Sequence, residues 1–183
     1  MEEIAINLEH LENSWKNIHT GNVFVVKPKG EGYYYGVVAN SNSNHFGVEG
    51  IIHIQIFNYC TEKIEGVPCD LYKYELLIPP ILTNKLGWRK GYFKTIGSLD
   101  TNMFPSIKQA VFVDVIRSRY YFDDKSNQLD RIYSIETTGS FSIKSYLNID
   151  ALISLKLGIP LPVLPPEDWN PYYYLKNIDN SNV

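Results

Sequence analysis

The clearest pattern of hydrophobic and polar positions lies between residues 20 and 38. Two runs of strand-forming residues, Val23–Lys27 and Tyr33–Val38, flank the segment Pro28–Gly32, which has the composition of a tight turn. We interpret this stretch as the opening hairpin of an antiparallel sheet that later segments extend.

Aromatic side chains are concentrated in two short segments. In the second strand of the hairpin, the two-residue period places Tyr33 and Tyr35 on one face and Tyr34 on the other. We expect one of these faces to lie in the core and the other to be exposed. Farther along, the glycine-bracketed segment Gly87–Gly91 presents Trp88, which we also expect to be exposed.

The residues before the hairpin carry a helical pattern. Their apolar side chains recur at alternating steps of four and three residues: Ile4, Leu8, Leu11, Trp15 and Ile18. This spacing predicts an N-terminal helix over residues 2–18 that covers one face or one end of the sheet. A partner-binding helix is the less favoured alternative, since such stripes usually bury in the chain's own core.

Five later segments have the composition of strands, and turn signals separate them. They are Ile51–Tyr59, Leu71–Ile78, Tyr92–Ile96, Ala110–Ile116 and Arg131–Thr137. The first alternates isoleucine with other residues, which predicts one buried and one partly wet face. The run from residue 110 is the most continuously apolar, so we assign it to a central strand.

Polar and proline-containing segments predict the connections. Asn40–Gly50 is polar and flanked by glycine, which indicates a mobile loop, and Asp123–Asp130 indicates a polar hairpin loop. Pro79 and Pro80 cannot donate to a strand ladder, so we expect strand pairing to stop there or to lie on an edge.

A second helix is predicted near the C-terminus. Asn148 is a suitable cap, and Gly158 followed by Pro160 is typical of a helix end. Four apolar side chains between them fall on one stripe: Ile149, Leu152, Ile153 and Leu157. The tail after this helix is rich in proline and tyrosine, and its aromatic content predicts that it packs on the body.

Together these elements predict a mainly β (α+β) protein. We expect a strongly bent antiparallel sheet or a partly open barrel of about six to eight strands, with an N-terminal and a C-terminal helix packed on it. Residues 1–158 are predicted to form one β-rich domain, and residues 159–183 the tail.

Composition and charge narrow the class of partner. The chain of 183 residues has a net charge of -3, and its cations are too scattered to follow a phosphate backbone, which argues against nucleic acid. Its 14 tyrosines favour strands and protein-binding surfaces. The sequence shows no signal peptide and no membrane span, so we expect a cytoplasmic protein without membrane contact.

The chain carries no recognisable catalytic or metal-binding motif. Cys60 and Cys69 lack the spacing of a zinc site, and we expect them to be reduced and partly buried. The acidic run that contains Asp123 and Asp124 lacks the central glycine and the final glutamate of a calcium loop. We therefore predict no metal, no cofactor and no catalysis.

From residue 21 onward the chain resembles the immunity protein 26 family, which comprises cytoplasmic antidotes of bacterial polymorphic toxin systems. The resemblance lies in these segments: Gly21-Asn22-Val23-Phe24, the Gly/Tyr-rich strand Gly32–Val38, the strand Ile51–Phe57, the pair Pro79-Pro80 and the Trp-bearing segment Gly87–Gly97. Asn22 stands where members of the family often carry an acidic residue, so no carboxylate function is implied at that turn.

The resemblance implies a β-rich inhibitor that binds one cognate toxin, expected to be a secreted toxin C-terminal domain. We predict partner contacts from Tyr34 and Trp88, as exposed aromatic side chains, and from Asp123 and Asp124, as loop acids. A structural explanation is equally good for each of them, since the two aromatic side chains also suit a core.

Two other functions stay open at this level. A small-ligand or carbohydrate-binding β module would use tyrosine and tryptophan as stacking faces in a concave pocket. An enzyme of unrecognised type would gather titratable groups with shifted pKa values in a cleft.

Overall fold

The computed structural model describes residues 5–103, 107, 109–114, 120–130 and 138–162. The strands in them are β1 Asn22–Val26, β2 Tyr33–His45, β3 Val48–Thr61, β4 Leu76–Thr83, β5 Lys94–Ser98, β6 Val111–Val113, β7 Tyr121–Phe122, β8 Gln128–Leu129, β9 Thr138–Ser140 and β10 Ile143–Lys144. The helices are the single turn α1 Leu86–Arg89 and the longer α2 Tyr146–Leu157, and 3-10 turns cover Leu71–Lys73 and Thr101–Met103.

The strands form two sheets, so the mainly β class is confirmed. The larger sheet has the strand order β10-β4-β3-β2-β1-β5 and the smaller one β8-β7-β6-β9. The presence of two sheets corrects the expectation of a single bent sheet, and the described residues hold ten strands where about six to eight were expected. Within the described residues neither sheet closes into a barrel. Pairing is antiparallel except between β10 and β4 and between β6 and β9.

The predicted opening hairpin is confirmed. β1 and β2 pair antiparallel, with Val26 opposite Tyr34 and Val23 opposite Val37. The next ladder, between β2 and β3, shows several register shifts, and such irregularities bend strands and increase their twist.

Both faces of the larger sheet are buried, which corrects the expectation of one exposed face. Phe24 and Tyr34 lie in a cluster that the apolar stripe of α2 covers. Val25 and Tyr35 lie in a second cluster on the opposite face. The predicted alternation of the tyrosines is thus confirmed, but neither Tyr34 nor Tyr35 faces solvent.

The smaller sheet packs against the larger one through a third apolar cluster. Phe112, Phe122 and Phe141 there meet Ile51 and Leu82 of the larger sheet. Gly139 in β9 marks the closest approach, because a Cβ at this position would overlap the backbone carbonyl oxygen of Pro80. The apolar run assigned to a central strand supplies β6, which is an inner strand of this smaller sheet.

The predicted N-terminal helix is wrong. Residues 5–19, here called the N-terminal strap, contain no helix and only one isolated β-bridge. Leu8 bridges to Pro28, and the amide of Glu9 donates to the carbonyl of Lys27 at 2.8 Å. The backbone amides of the strap therefore donate hydrogen bonds to neighbouring segments, whereas in a helix they would bond to carbonyls of the same helix.

Two predicted breaks in strand pairing also differ from the structure. The polar stretch Asn40–Gly50 is the far part of β2 and the start of β3, joined by a tight turn. β4 runs through Pro79 and Pro80. Its ladder to β3 shifts register at that point, so the two residues without an N–H fall in a bulge.

Helix α2 is confirmed, with a small shift at its start. Ser145 is the N-cap, and the side chain of Asn148 completes a capping box with it. Gly158 ends the helix with φ of 71°, a left-handed conformation that glycine adopts at little cost. The predicted strand Arg131–Thr137 and most of the tail lie outside the described residues.

Candidate interaction surfaces

Trp88 and Tyr34 lie inside the core, which contradicts the predicted exposure of both side chains. Trp88 is 1% exposed and its ring centroid lies 5.2 Å from that of Phe24 and 5.0 Å from that of Phe93. Tyr34 is 6% exposed, and burial raises its pKa to about 12. Their contact with a partner stays a prediction, and neither ring is placed as a stacking face for a sugar.

Asp123 and Asp124 occupy the β7–β8 turn, and both carboxylates bind within the chain. Asp123 accepts hydrogen bonds from the backbone amides of Lys125 at 2.9 Å and Asn127 at 2.8 Å. This arrangement closes the turn and confirms the hairpin loop. Contact of the two acids with a partner also stays a prediction.

The Asp124 side chain enters a polar cluster between the two sheets. Its Oδ2 lies 3.2 Å from Nδ1 of His53 on β3, and it accepts hydrogen bonds from Asn40 at 2.9 Å and Ser43 at 3.4 Å on β2. Burial raises the pKa of this carboxyl, but the hydrogen bonds from His53 and Asn40 outweigh that effect and hold its pKa below the usual value of an aspartate. The cluster links the β7–β8 turn to the larger sheet.

His53 shows why this cluster is enclosed. Its side chain is fully buried, Phe112 packs against it edge-on at 5.4 Å, and its Nε2 has no hydrogen-bond partner in the described part of the chain. The alternation of β3 predicts a partly wet position here, so the sequence missed the burial. Asn40 and Ser43, polar residues of the segment predicted as a loop, are the sequence feature that could have indicated a polar cluster around His53.

The Asp124 carboxylate predicts a dependence of stability on acid. Because its folded pKa is lowered, its contribution is present above pH 3.8 and is lost as pH falls through the folded pKa. At pH 7 we expect Asp124→Asn to lower the free energy of unfolding by about 2 kcal/mol. Urea unfolding at pH 7 and at a series of lower pH values below 3.8 tests this. A difference between wild type and variant that does not shrink as the pH falls contradicts it.

Exposed aromatic side chains occur at four places on the described surface, one of which is Tyr120, 52% exposed, directly before β7. At the β2–β3 turn, Phe46 and Val48 are each 49% exposed, and Phe46 also contacts the rings of Phe122 and Phe141 at 5.5 and 5.0 Å. At the other end of the sheet, Tyr72 and Tyr74 are each 39% exposed. The fourth place is the strap.

Among the described residues, Trp15 is by far the most exposed large apolar side chain, at 76%. The guanidinium carbon of Arg89 lies 5.2 Å from its ring centroid, which is cation–π distance. Leu86, at 39% exposure, stands one helical turn before Arg89 on α1 and therefore on the same side. We call Trp15, Leu86, Arg89 and the exposed Lys90 the Trp15 platform.

The two cysteines are both free and both exposed, which corrects their expected partial burial. Within the described residues, no group of histidine, cysteine and acidic side chains is arranged to hold a metal ion. No helix there combines the length and the apolar character needed to cross a lipid bilayer.

Comparison with known protein families shows to which family the chain belongs. The sequence model of the family described as Immunity protein 26 matches residues 19–113, just over half of the chain. The chain belongs to the immunity protein 26 family. Comparison with curated proteins gave no match, and comparison with solved structures gave none.

The immunity protein 26 match has a clear position in the fold. It runs from the end of the strap through β6 and so contains β1 to β5, five of the six strands of the larger sheet. It also contains Arg89 and Trp88 of α1. Trp15, helix α2 and the Asp124 turn lie outside the matched residues.

Proposed function

We propose that this chain is an immunity protein that neutralises a cognate bacterial toxin by binding it directly. The partner would be the C-terminal domain of a secreted toxin, and the complex would form in the cytoplasm without nucleic acid, membrane or cofactor. Membership of the immunity protein 26 family is the observation that carries this proposal.

The geometry supports binding by the outer surface. The larger sheet is buried on both faces, so it forms a rigid support, and most of the exposed aromatic side chains lie at its turns and on the strap. Tyrosine and tryptophan supply large contact areas at low conformational entropy cost, and a rigid support limits the ordering cost of binding.

We propose inhibition without catalysis, and the His53–Asp124 pair supports this. A histidine beside a carboxylate can serve as a general base only where it reaches a substrate. Here His53 is fully buried between β3 and Phe112, and the Asp124 carboxylate also bonds Asn40 and Ser43. The pair therefore acts as a structural link between the sheets.

The four residues selected from the sequence keep different places in the proposal. Asp123 and Asp124 are half-buried loop acids that would border a contact near the β2–β3 turn, because the amide of Asn44 donates to the carbonyl of Asp124 at 2.9 Å. Tyr34 and Trp88 would support the binding surface from within the core.

Co-expression tests this function. Bacteria that express the toxin domain encoded beside this chain's gene should stop growing, and co-expression of the chain should restore growth. Trp88→Ala, which we expect to be poorly folded, serves as the control and should restore little growth. Continued growth arrest in cells that contain the folded wild-type chain would count against the proposal.

A further inference from the structure

The N-terminal strap is fixed to α1 and the turn that follows it. The amides of Leu11 and Glu12 donate to the carbonyl of Gly91 at 2.7 and 3.1 Å, and the amide of Ser14 donates to the carbonyl of Trp88 at 3.0 Å. The side chain of Asn13 donates to the carbonyl of Arg89 at 2.7 Å. Four successive residues are therefore anchored directly before Trp15.

This anchoring makes Trp15 a pre-positioned side chain. Its backbone position is set by the preceding hydrogen bonds, and Arg89 lies over its ring. A partner that buries this indole would pay little ordering entropy and would remove a large apolar area from water. Tryptophan and arginine are also the residue types most enriched among the contacts that dominate protein binding energies.

The surroundings of Trp15 carry positive charge, although the chain as a whole is acidic. Lys16, Arg89 and Lys90 are exposed, and no ion pair within the described residues neutralises them. The neighbouring Glu12 is engaged by Lys94 at 3.0 Å. The platform thus combines the apolar side chains Trp15 and Leu86 with the cations Arg89 and Lys90, and Lys16 lies beside it in sequence. Its complement is a recess lined with apolar side chains and bordered by carboxylates.

We propose that the Trp15 platform is the main contact with the toxin, whose facing surface holds an apolar recess ringed by Asp and Glu side chains. This proposal rests on the function proposed above and adds where the partner binds and what chemistry it presents. Trp15 precedes residue 19, where the family match begins, so the match does not itself imply this contact.

Calorimetric titration of the toxin domain encoded beside this chain's gene tests the site. We expect Trp15→Ala and Arg89→Glu each to weaken affinity at least about 30-fold, the effect of a dominant contact. The weakening by Arg89→Glu should diminish as salt rises, because salt screens exposed charges. Thermal unfolding of Trp15→Ala should match the wild type, since the side chain is exposed.

Tyr72→Ala is the matched comparison. Tyr72 is also an exposed aromatic residue with a cation near its ring, Lys73 at 6.0 Å, but it lies on another part of the molecule. We expect this variant to bind the toxin domain with wild-type affinity. The reverse pattern, loss in Tyr72→Ala and none in Trp15→Ala, would overturn the proposed site.

The outcomes separate this proposal from the proposed function. If the wild-type chain does not bind the toxin domain at all, direct neutralisation fails. If it binds but both platform variants bind equally well, only the surface assignment fails.

A wild-type dimer that Trp15→Ala converts to a monomer in sedimentation velocity, with toxin affinity unchanged, would show that a second copy covers the platform. Loss of binding to phosphatidylserine vesicles in Trp15→Ala, again with toxin affinity unchanged, would identify a lipid surface and overturn the assignment.

Discussion

Replacing Trp88 with alanine is expected to lower the free energy of unfolding by about 3–5 kcal/mol. The side chain is 1% exposed, and it joins Phe24 and Phe93 in a cluster whose ring centroids lie 5.0 to 5.4 Å apart. Its removal leaves a large cavity that these rings cannot fill, and it also removes the indole hydrogen bond to Thr95 Oγ1 at 3.1 Å. Urea unfolding followed by circular dichroism measures the loss.

Trp15→Ala is the matched control for this measurement, because it removes the same side chain from an exposed position. We expect it to change the unfolding free energy by less than about 0.5 kcal/mol. Trp88→Phe should fall between the two, since it keeps an aromatic ring in the cluster. Equal stability of Trp88→Ala and Trp15→Ala would show that the core is assigned incorrectly.

Asp150→Ala is expected to cost about 3 kcal/mol, the second-largest effect. Asp150 lies on α2, and its carboxylate accepts hydrogen bonds from the amides of Leu8 at 2.8 Å and Asn7 at 3.1 Å. Alanine would leave both buried amides without an acceptor, and each such amide carries a desolvation cost. The strap would then be held to the helix end only by the Asn7 side chain, which donates to Ser154 Oγ at 3.0 Å and to the Pro160 carbonyl at 2.9 Å, and by apolar packing.

Asp150→Asn is the informative comparison. Burial raises the pKa of Asp150, so holding a negative charge there costs free energy, whereas a neutral amide oxygen still accepts a hydrogen bond. We expect Asp150→Asn to retain most of the stability that Asp150→Ala loses at pH 7. Hydrogen exchange at the Leu8 amide reports the same difference locally, and unchanged protection in Asp150→Ala contradicts the proposed link.

The parts of the fold that the sequence predicts well are those with local causes. The β1–β2 hairpin follows from a turn composition between two short apolar runs, and α2 follows from a cap, a stripe and a terminal glycine. All of these signals act over a few residues. The N-cap of α2 is Ser145, and the predicted cap Asn148 instead completes the capping box. This small difference also depends on signals within a few residues.

The N-terminal strap was not predictable because its partners are distant in sequence. Leu8 and Ile18 are buried as the helical stripe requires, but Trp15 on the same stripe is the most exposed tryptophan position described. The acceptor for the Leu8 amide lies 142 residues away on α2. Nothing in the sequence of residues 2–18 indicates that acceptor. Tertiary contacts therefore override the helix that the apolar spacing predicts.

The proposed interaction surface likewise depends on contacts between residues that are distant in sequence. The predicted helix places Trp15 on a stripe expected to be buried, and the glycine-bracketed segment favours Trp88 as the exposed tryptophan. In the structure Trp88 is buried and Trp15 is exposed. Asp124 was correctly placed in a loop, but its inward turn depends on His53 and Asn40, which come from two strands far earlier in the chain. Residue type alone does not distinguish a loop acid that faces solvent from one that joins two sheets.

Isothermal titration of the wild-type chain into the toxin domain encoded beside its gene tests the central claim most directly. We predict a saturable complex with a Kd of about 10 nM or tighter, within the range of stable protein inhibitors. No heat of binding and no complex at about 10 μM of each protein, with an active toxin domain and a folded chain, would contradict the claim that this protein acts by binding its toxin.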